Sequence, residues 1–172
     1  CVMLTHQNCV AAAHILARFA GTRHDDVLLT PFPFFTSSGV HTSLLTACTA
    51  GAHYVISTNV QAEPLMREIE RERATIVGAV PSIYGYMASA TPSDPIDLTS
   101  VRLAFHGGAS VSPHQIATYQ KLFPRAEIMN VFGQTESGNP GVTLPGKYAL
   151  AKAGSIGKQG MPGVRIRVVD ET

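Results

Sequence analysis

The sequence predicts an α/β fold: a mainly parallel sheet flanked by helices. Three observations carry that expectation. Short apolar runs alternate with segments of helical periodicity along the chain. Two of those runs end in glycine-rich loops, Gly107-Gly108 and FGQTESG from Phe132 to Gly138, at the place where open α/β sheets collect ligands. A chain of 172 residues with 45% hydrophobic and 15% charged residues also suits one ordinary domain with a real core.

The elements follow in order. From Gln7 to Ala20, Val10, Ala13, Ile15, Ala17 and Phe19 among further alanines predict a helix stopped by Gly21. Val27 to Thr30 is a short apolar strand, His41 to Ala50 a second helix stopped by Gly51, and His53 to Ile56 another strand. EPLMREIERER, from Glu63 to Arg73, keeps Leu65, Met66 and Ile69 on one side among charges, so it is an amphipathic helix. Glu63 with Arg67, and Glu70 with Arg73, stand at helical neighbour spacing, and a solvated face accounts for them.

ATIVGAVP, from Ala74 to Pro81, is a buried strand ended by proline, with a helix beginning near Ser82. TPSDPID, from Thr91 to Asp97, is a surface loop. VRLAFHGG is a strand running from Val101 into the paired glycines. The next helix has several agreeing start signals: Ser112 as cap, Pro113 at the first helical position and Gln115 to complete a capping box; it should run to about Phe123. AEIMNVFG is the following strand, so Val101 to Phe105 and Ile128 to Val131 are expected as parallel neighbours with this helix as their crossover. After Gly138 the chain is loop-like until VRIRVVD at Val164 to Asp170.

Thirteen basic against twelve acidic residues leave a net charge of +1, so no global field recruits nucleic acid or an anionic membrane. A small molecule is the expected partner. The start, CVMLTHQNCVAAAH, has neither a basic leader region nor a long apolar run, and no segment is long and apolar enough to span a membrane. Cys1, Cys9 and Cys48 are widely spaced, without a C-x-x-C pair, and no asparagine heads an Asn-x-Ser/Thr acceptor. These features point to a reducing, cytoplasmic setting.

Paired glycines let a flat ligand approach backbone amides, although a tight turn needs them too. In the second loop Phe132 offers an aromatic face, Thr135 a hydroxyl and Glu136 an oxygen ligand of the kind Mg²⁺ prefers. Taken singly, Phe132 is explained as core, and Thr135 and Glu136 as the start of a following helical turn. Taken together they suit a magnesium nucleotide. GVTLPGKY, from Gly141 to Tyr148, comes near a phosphate loop but has Tyr148 in place of the metal-binding hydroxyl and no strand leading into Gly141. Ser155 to Lys158 imitates S-x-x-K without its partner motifs, and neither G-x-S-x-G nor H-E-x-x-H occurs. His14 and His53 are structural by default; His106, beside the glycine pair, is the histidine of interest.

Over nearly its whole length the chain resembles the adenylate-forming superfamily, the acyl-CoA synthetases and their relatives. CVMLTHQN is similar to the segment that follows the family's phosphate loop. PFPFFTSSG resembles its Pro-x-Phe-His-x-x-Gly region, ATIVGAVPSIY its Val-Pro-Thr strand and FHGGASVSP its Gly-Gly turn. FGQTESG resembles the Tyr-Gly-x-Thr-Glu signature, and GSIGKQGMPGVRIRVVD the stretch before the ribose-binding aspartate. Six such segments in order are far more specific than any one alone.

The resemblance implies ATP-dependent activation of a carboxylic acid to an acyl-adenylate, then transfer to the thiol of coenzyme A. It implies ATP, Mg²⁺ and coenzyme A as cofactors. Phe132 would stack on adenine, with Gly107, Gly108, Ala109 and Gly133 lining it. Thr135 would meet phosphate and Glu136 would hold Mg²⁺, these two being the catalytic pair. The acid would lie near Phe35, Thr36, Ser38, Pro81 and Ser82, and the apolar run PFFTSSGV, free of basic residues, favours a fatty acid. The chain departs from the family where Phe132 stands for tyrosine, Thr36 for histidine and Cys1 for glycine. The phosphate loop would precede residue 1, and the ribose aspartate and the lid lysine would follow Thr172. Residues 1–172 are therefore expected to be part of an AMP-binding domain, inactive when isolated. The alternative is a non-catalytic module or scaffold that only binds adenine nucleotide.

Overall fold

The structure, a computed structural model, describes residues 2–138, 141–158 and 160–170; Cys1 and Asn139 lie outside them. Among the described residues five α-helices and six strands follow in order: α1 His6–Phe19, β1 Val27–Thr30, α2 Leu45–Ala50, β2 His53–Ile56, α3 Ala62–Arg71, β3 Ile76–Ala79, α4 Pro81–Ser89, β4 Leu103–His106, α5 Pro113–Leu122, β5 Glu127–Phe132 and β6 Val142–Leu144. They build one sheet in the order β2-β1-β3-β4-β5-β6, parallel except for the β5–β6 pair. The expected α/β architecture is thus observed, and β4 and β5 are parallel neighbours joined through α5.

Two apolar layers cover the sheet because successive strand residues face opposite sides. Leu29, Val77, Ala79, Ala104 and Ile128 pack under α3, α4 and α5, with Leu65, Ile69, Tyr84, Ile116 and Tyr119 supplying the helical side. Leu28, Ile76, Leu103, Phe105, Met129 and Val131 face the opposite layer with Ala47 of α2, where α1 buries Ala12, Ala13, Leu16 and Ala17. The change of layer between α2 and α3 accompanies a reversal of strand order. From β1 the chain goes outward to β2, then returns past β1 to β3, so β1 and β3 flank the topological switch point.

Helix boundaries follow local chemistry. Ser112 Oγ accepts the Gln115 amide at 3.3 Å while Gln115 Oε1 accepts the Ser112 amide at 2.8 Å, so the expected capping box forms around Pro113. In α3, Leu65, Met66 and Ile69 are buried and Glu63 pairs with Arg67 at 3.2 Å. Glu70 meets Arg67, at 3.8 Å, because the helix ends at Arg71 and Arg73 turns into the left-handed region with φ 50°.

Three expectations need correction. The helix expected from His41 is a π-helix over Ser38–Leu44 that passes into α2, with the Ser43 hydroxyl bonded to the carbonyl of Ser38, five residues back. Part of the stretch expected as loop after Gly138 is a strand, β6, which pairs Val142, Thr143 and Leu144 with Phe132, Val131 and Asn130. Residues 164–170 form no regular element, and Val168 and Val169 are largely exposed.

Candidate functional site

The register sets Ala79, His106 and Asn130 side by side across β3, β4 and β5. The segments after them, Val80 to Ser82, Gly107 to Ser110 and Phe132 to Gly138, therefore leave the sheet at one end. Gly107 is required there by close approach, since an added Cβ would overlap the carbonyl oxygen of Val131 on β5. Gly108 is required by its backbone, at φ +84°, and the space over it is open. The turn explanation and the ligand explanation of the glycine pair are thus compatible. Gly108 and Ala109 are exposed, Gly133 is half-buried, and Phe132 ends β5 with 39% of its surface accessible.

Thr135 and Glu136 belong to a single 3₁₀ turn, Thr135–Ser137. Its ends are tied reciprocally: the Gln134 amide donates to Ser137 Oγ at 3.3 Å, and that hydroxyl donates to the Gln134 carbonyl at 2.9 Å. The Gly138 amide then closes on the Thr135 carbonyl at 3.1 Å, with Gly138 at φ +74°. Thr135 and Glu136 are exposed, and among the described residues neither side chain has a hydrogen-bond or ionic partner. A hydroxyl and a carboxylate are thereby presented, uncommitted, on a tied turn beside an exposed aromatic ring. One residue that sequence reasoning left without a role also stands here: the Asn8 carboxamide, from the first turn of α1, occupies the space where a Cβ at Gly138 would lie.

Phe35, Thr36 and Ser38 follow β1, and Pro81 and Ser82 follow β3, so these five come from the two strands that flank the switch point. Phe35 is 91% exposed, Thr36 and Ser38 are half-buried, and Ser82 is exposed. Pro81 is buried at the head of α4, where its carbonyl accepts the Tyr119 hydroxyl at 3.0 Å. Thr36 Oγ1 donates to the Pro33 carbonyl at 2.6 Å and accepts the Gly39 amide at 3.2 Å, which bends the chain into the π-helix. π-Helical turns recur at functional sites. This one carries a Ser37 Oγ to His41 Nδ1 contact of 2.9 Å.

His106 is turned into the core. It is completely buried, meets the Tyr119 ring edge-on at 6.0 Å, and among the described residues neither ring nitrogen has a hydrogen-bond partner. Burial lowers its pKa to about 4, so the imidazole is neutral near pH 7. GVTLPGKY is not a phosphate loop: β6 runs through its middle, and the Gly146 amide is taken by Glu127 Oε1 at 2.6 Å. A cavity of about 1000 Å³, lined by Phe19, Thr143, Tyr148, Lys152, Lys158 and Met161 among others, lies along the β6 edge and contains none of the expected site residues. Among the described residues no helix is long and apolar enough to cross a membrane, and Cys9 and Cys48 are free thiols.

The AMP-binding enzyme family model matches residues 1–172. The long-chain-fatty-acid-CoA ligase FadD13 of Mycobacterium tuberculosis is 30% identical over 160 residues, covering 93% of this chain and 31% of that protein. The 4-coumarate-CoA ligase 5 of Oryza sativa subsp. japonica is 29% identical over 170 residues, 96% of this chain and 31% of that protein. The chain thus spans under a third of these relatives. Among solved structures, the inhibitor-bound N-terminal domain of FACL13 from M. tuberculosis superposes with a TM-score of 0.85 at 29% identity, over 93% of this chain and 39% of that one. The O-succinylbenzoate coenzyme A synthetase MenE from Bacillus subtilis, solved with ATP and magnesium ion, gives a TM-score of 0.85 at 22% identity, over 99% and 34%, which shows the fold alone. With a family model matched from the first residue to the last, the chain belongs to the AMP-binding enzyme family.

Proposed function

We propose that the protein carrying this chain is an acid-CoA ligase, which joins a carboxylic acid to the α-phosphate of ATP as an acyl-adenylate with release of pyrophosphate, and passes the acyl group to the thiol of coenzyme A with release of AMP. The observation that carries the reading is the tied turn whose Thr135 and Glu136 side chains are uncommitted, beside Phe132 and the open face of Gly108. Adenine would stack on Phe132 and lie along Gly107, Gly108, Ala109 and Gly133. Thr135 would donate to a phosphate oxygen. A carboxylate is a poor nucleophile toward an anionic phosphorus centre, so donors and cations aimed at the phosphate are the main catalytic requirement.

Glu136 fits Mg²⁺ as a single protein carboxylate sharing the ion with substrate phosphates, the usual arrangement for this metal. The described residues contain no group of three or more acidic, histidine or cysteine side chains that could hold a metal without substrate. The ion would supply charge neutralisation at the phosphates.

For the acid, the segment Pro31 to Ala50 contains no charged Lys, Arg, Asp or Glu side chain to receive a second ionic group. Thr36 and Ser43 turn their hydroxyls inward, to the Pro33 and Ser38 carbonyls, and Thr30, just ahead of the segment on β1, bonds to the Tyr54 hydroxyl at 2.7 Å. Apolar and aromatic groups, among them Phe34 stacked on Tyr54 at 6.1 Å, are left to meet the acid. That favours a fatty acid over a polar one. The names of the relatives cover both fatty-acid and 4-coumarate ligases. Residues 1–172 would be the central part of the AMP-binding domain, as the share of the relatives they span supports, and the free thiols suit a cytoplasmic setting.

The test is pyrophosphate release by the full-length protein with ATP, Mg²⁺ and coenzyme A across saturated fatty acids, hydroxycinnamic acids and dicarboxylic acids. Turnover greatest with the fatty acids supports the whole reading. Preference for hydroxycinnamates would keep the ligase and remove the fatty-acid assignment. Nucleotide binding without pyrophosphate for any acid would leave the non-catalytic binder.

A further inference from the structure

We propose that Asn8 is a positioning residue for the Thr135–Glu136 turn: its carboxamide covers Gly138 and holds the turn at the end of β5. The inference rests on the ligase reading only for its consequence in turnover. The packing relationship stands separately.

Three features place Asn8 there. Thr5 caps α1 in an extended conformation, and its Oγ1 accepts the Asn8 amide at 3.1 Å, which fixes the backbone of the first helical turn. Gly138, buried beneath, ends the Thr135–Ser137 turn at φ +74°. A Cβ built on it would stand 2.6 Å from Asn8 Cγ and overlap both carboxamide heteroatoms. The left-handed backbone requires glycine at 138, and the exposed Asn8 side chain fills the space beside it, so an added Cβ would have to push the carboxamide aside.

The bonds that close the turn are local, between Gln134 and Ser137 and between Thr135 and Gly138. Local bonds shape a turn without fixing where it points. Asn8, far away in sequence, adds a long-range contact at the residue that ends the turn. Truncating it would open a gap over Gly138 and let the turn rock, moving Thr135 and Glu136 together. Small displacements of groups aimed at a transition state lower the rate far more than they lower substrate binding.

The test uses the full-length protein and four variants: Asn8→Ala, Asn8→Leu, Gly138→Ala and the Asn8→Ala/Gly138→Ala pair. Gly138→Ala carries the same backbone strain in either background, so the thermal-unfolding cycle isolates the contact. Its fall in melting temperature is expected to be at least about twice as large with Asn8 present as in the Asn8→Ala background, where the carboxamide is gone. Equal falls in the two backgrounds overturn the proposal. In pyrophosphate release, Asn8→Ala should lower kcat about tenfold while the KM for ATP changes less than about threefold. Asn8→Leu, which restores volume without a carboxamide, should recover most of that loss. An unchanged kcat in Asn8→Ala, in a wild-type protein that does turn over, also overturns it. If the wild type releases no pyrophosphate with any acid, the ligase reading fails and the unfolding cycle still decides the packing claim.

Discussion

Arg102, just ahead of β4, grips both carboxylate oxygens of Asp26, just ahead of β1: Nε lies 2.8 Å from Oδ1 and Nη2 lies 2.5 Å from Oδ2. Thr75, ahead of β3, donates its hydroxyl to the same carboxylate at 2.6 Å, and Arg102 Nη2 also reaches the Gly21 carbonyl at 2.8 Å. One ion pair thus ties three adjacent strands and the end of α1 together, at the sheet end opposite the site. Burial pushes the Asp26 carboxyl pKa upward, but the bonds from Arg102, Thr75 and the Arg23 amide outweigh it, and the net shift is to below 3.8.

Arg102→Met should therefore destabilise the fold by about 2 kcal/mol at pH 7, less than for a fully buried pair because the guanidinium is partly exposed. The sign with pH follows from the lowered carboxyl pKa. The contribution is present above about pH 4, the unfolded value, and is lost as pH falls through the lower folded value. Urea unfolding of wild type and Asp26→Asn at pH 7 and pH 3 checks it, and a stability gap that does not narrow at pH 3 would contradict it.

His106 should make the protein acid-sensitive in a different window. Its folded pKa of about 4 lies below the ordinary histidine value of 6.5, so the unfolded chain binds the extra proton between those values and stability falls as pH drops through that range. The loss attributable to this group is on the order of 3 kcal/mol by pH 4. His106→Leu should flatten that part of the stability profile. A profile between pH 6.5 and 4 that is identical in the two proteins would show that His106 does not drive it.

Glu136→Ala in the full-length protein should lower acyl-adenylate formation by at least roughly a hundredfold, the scale of losing one transition-state charge contact. The motivation is a carboxylate that has no partner among the described residues and projects from a tied turn. Pyrophosphate release at saturating Mg²⁺ measures it, and an unchanged rate would remove Glu136 from the metal site.

The isolated 172-residue chain should bind AMP and ATP within about tenfold of each other, a difference of about 1.4 kcal/mol. Phe132 offers adenine a face, while neither Phe105 to Ser112 nor Phe132 to Gly138 contains a lysine or arginine to reward extra phosphates. Calorimetry with both nucleotides is the check, together with a pyrophosphate assay expected to show no turnover. Strong preference for Mg-ATP with turnover would place the catalytic apparatus within these residues.

Local chemistry made much of this legible in the sequence. The Ser112, Pro113 and Gln115 start signal acts within one helical turn, and the buried runs around Val77, Ala104 and Met129 are dominated by apolar residues, so neither depends on distant partners. The glycine pair and the Phe132, Thr135 and Glu136 cluster were readable for the same reason, being contiguous in the chain. Tertiary structure alone decided what depends on residues far apart. β6 is a strand because the backbone of β5 offers its outer edge to Val142–Leu144, a segment too short to declare itself by pattern. The π-helix arises where Gly39 lets the chain close against the Pro33 carbonyl, and an ordinary helical pattern does not reveal that approach. His106 ends β4, but whether its ring enters the crevice or the core is set by which face of the sheet α5 covers with Tyr119. Asn8 acquires its place only when the fold brings the first turn of α1 to Gly138, because a vacant volume over a glycine is created by the fold and has no signature in the order of residues.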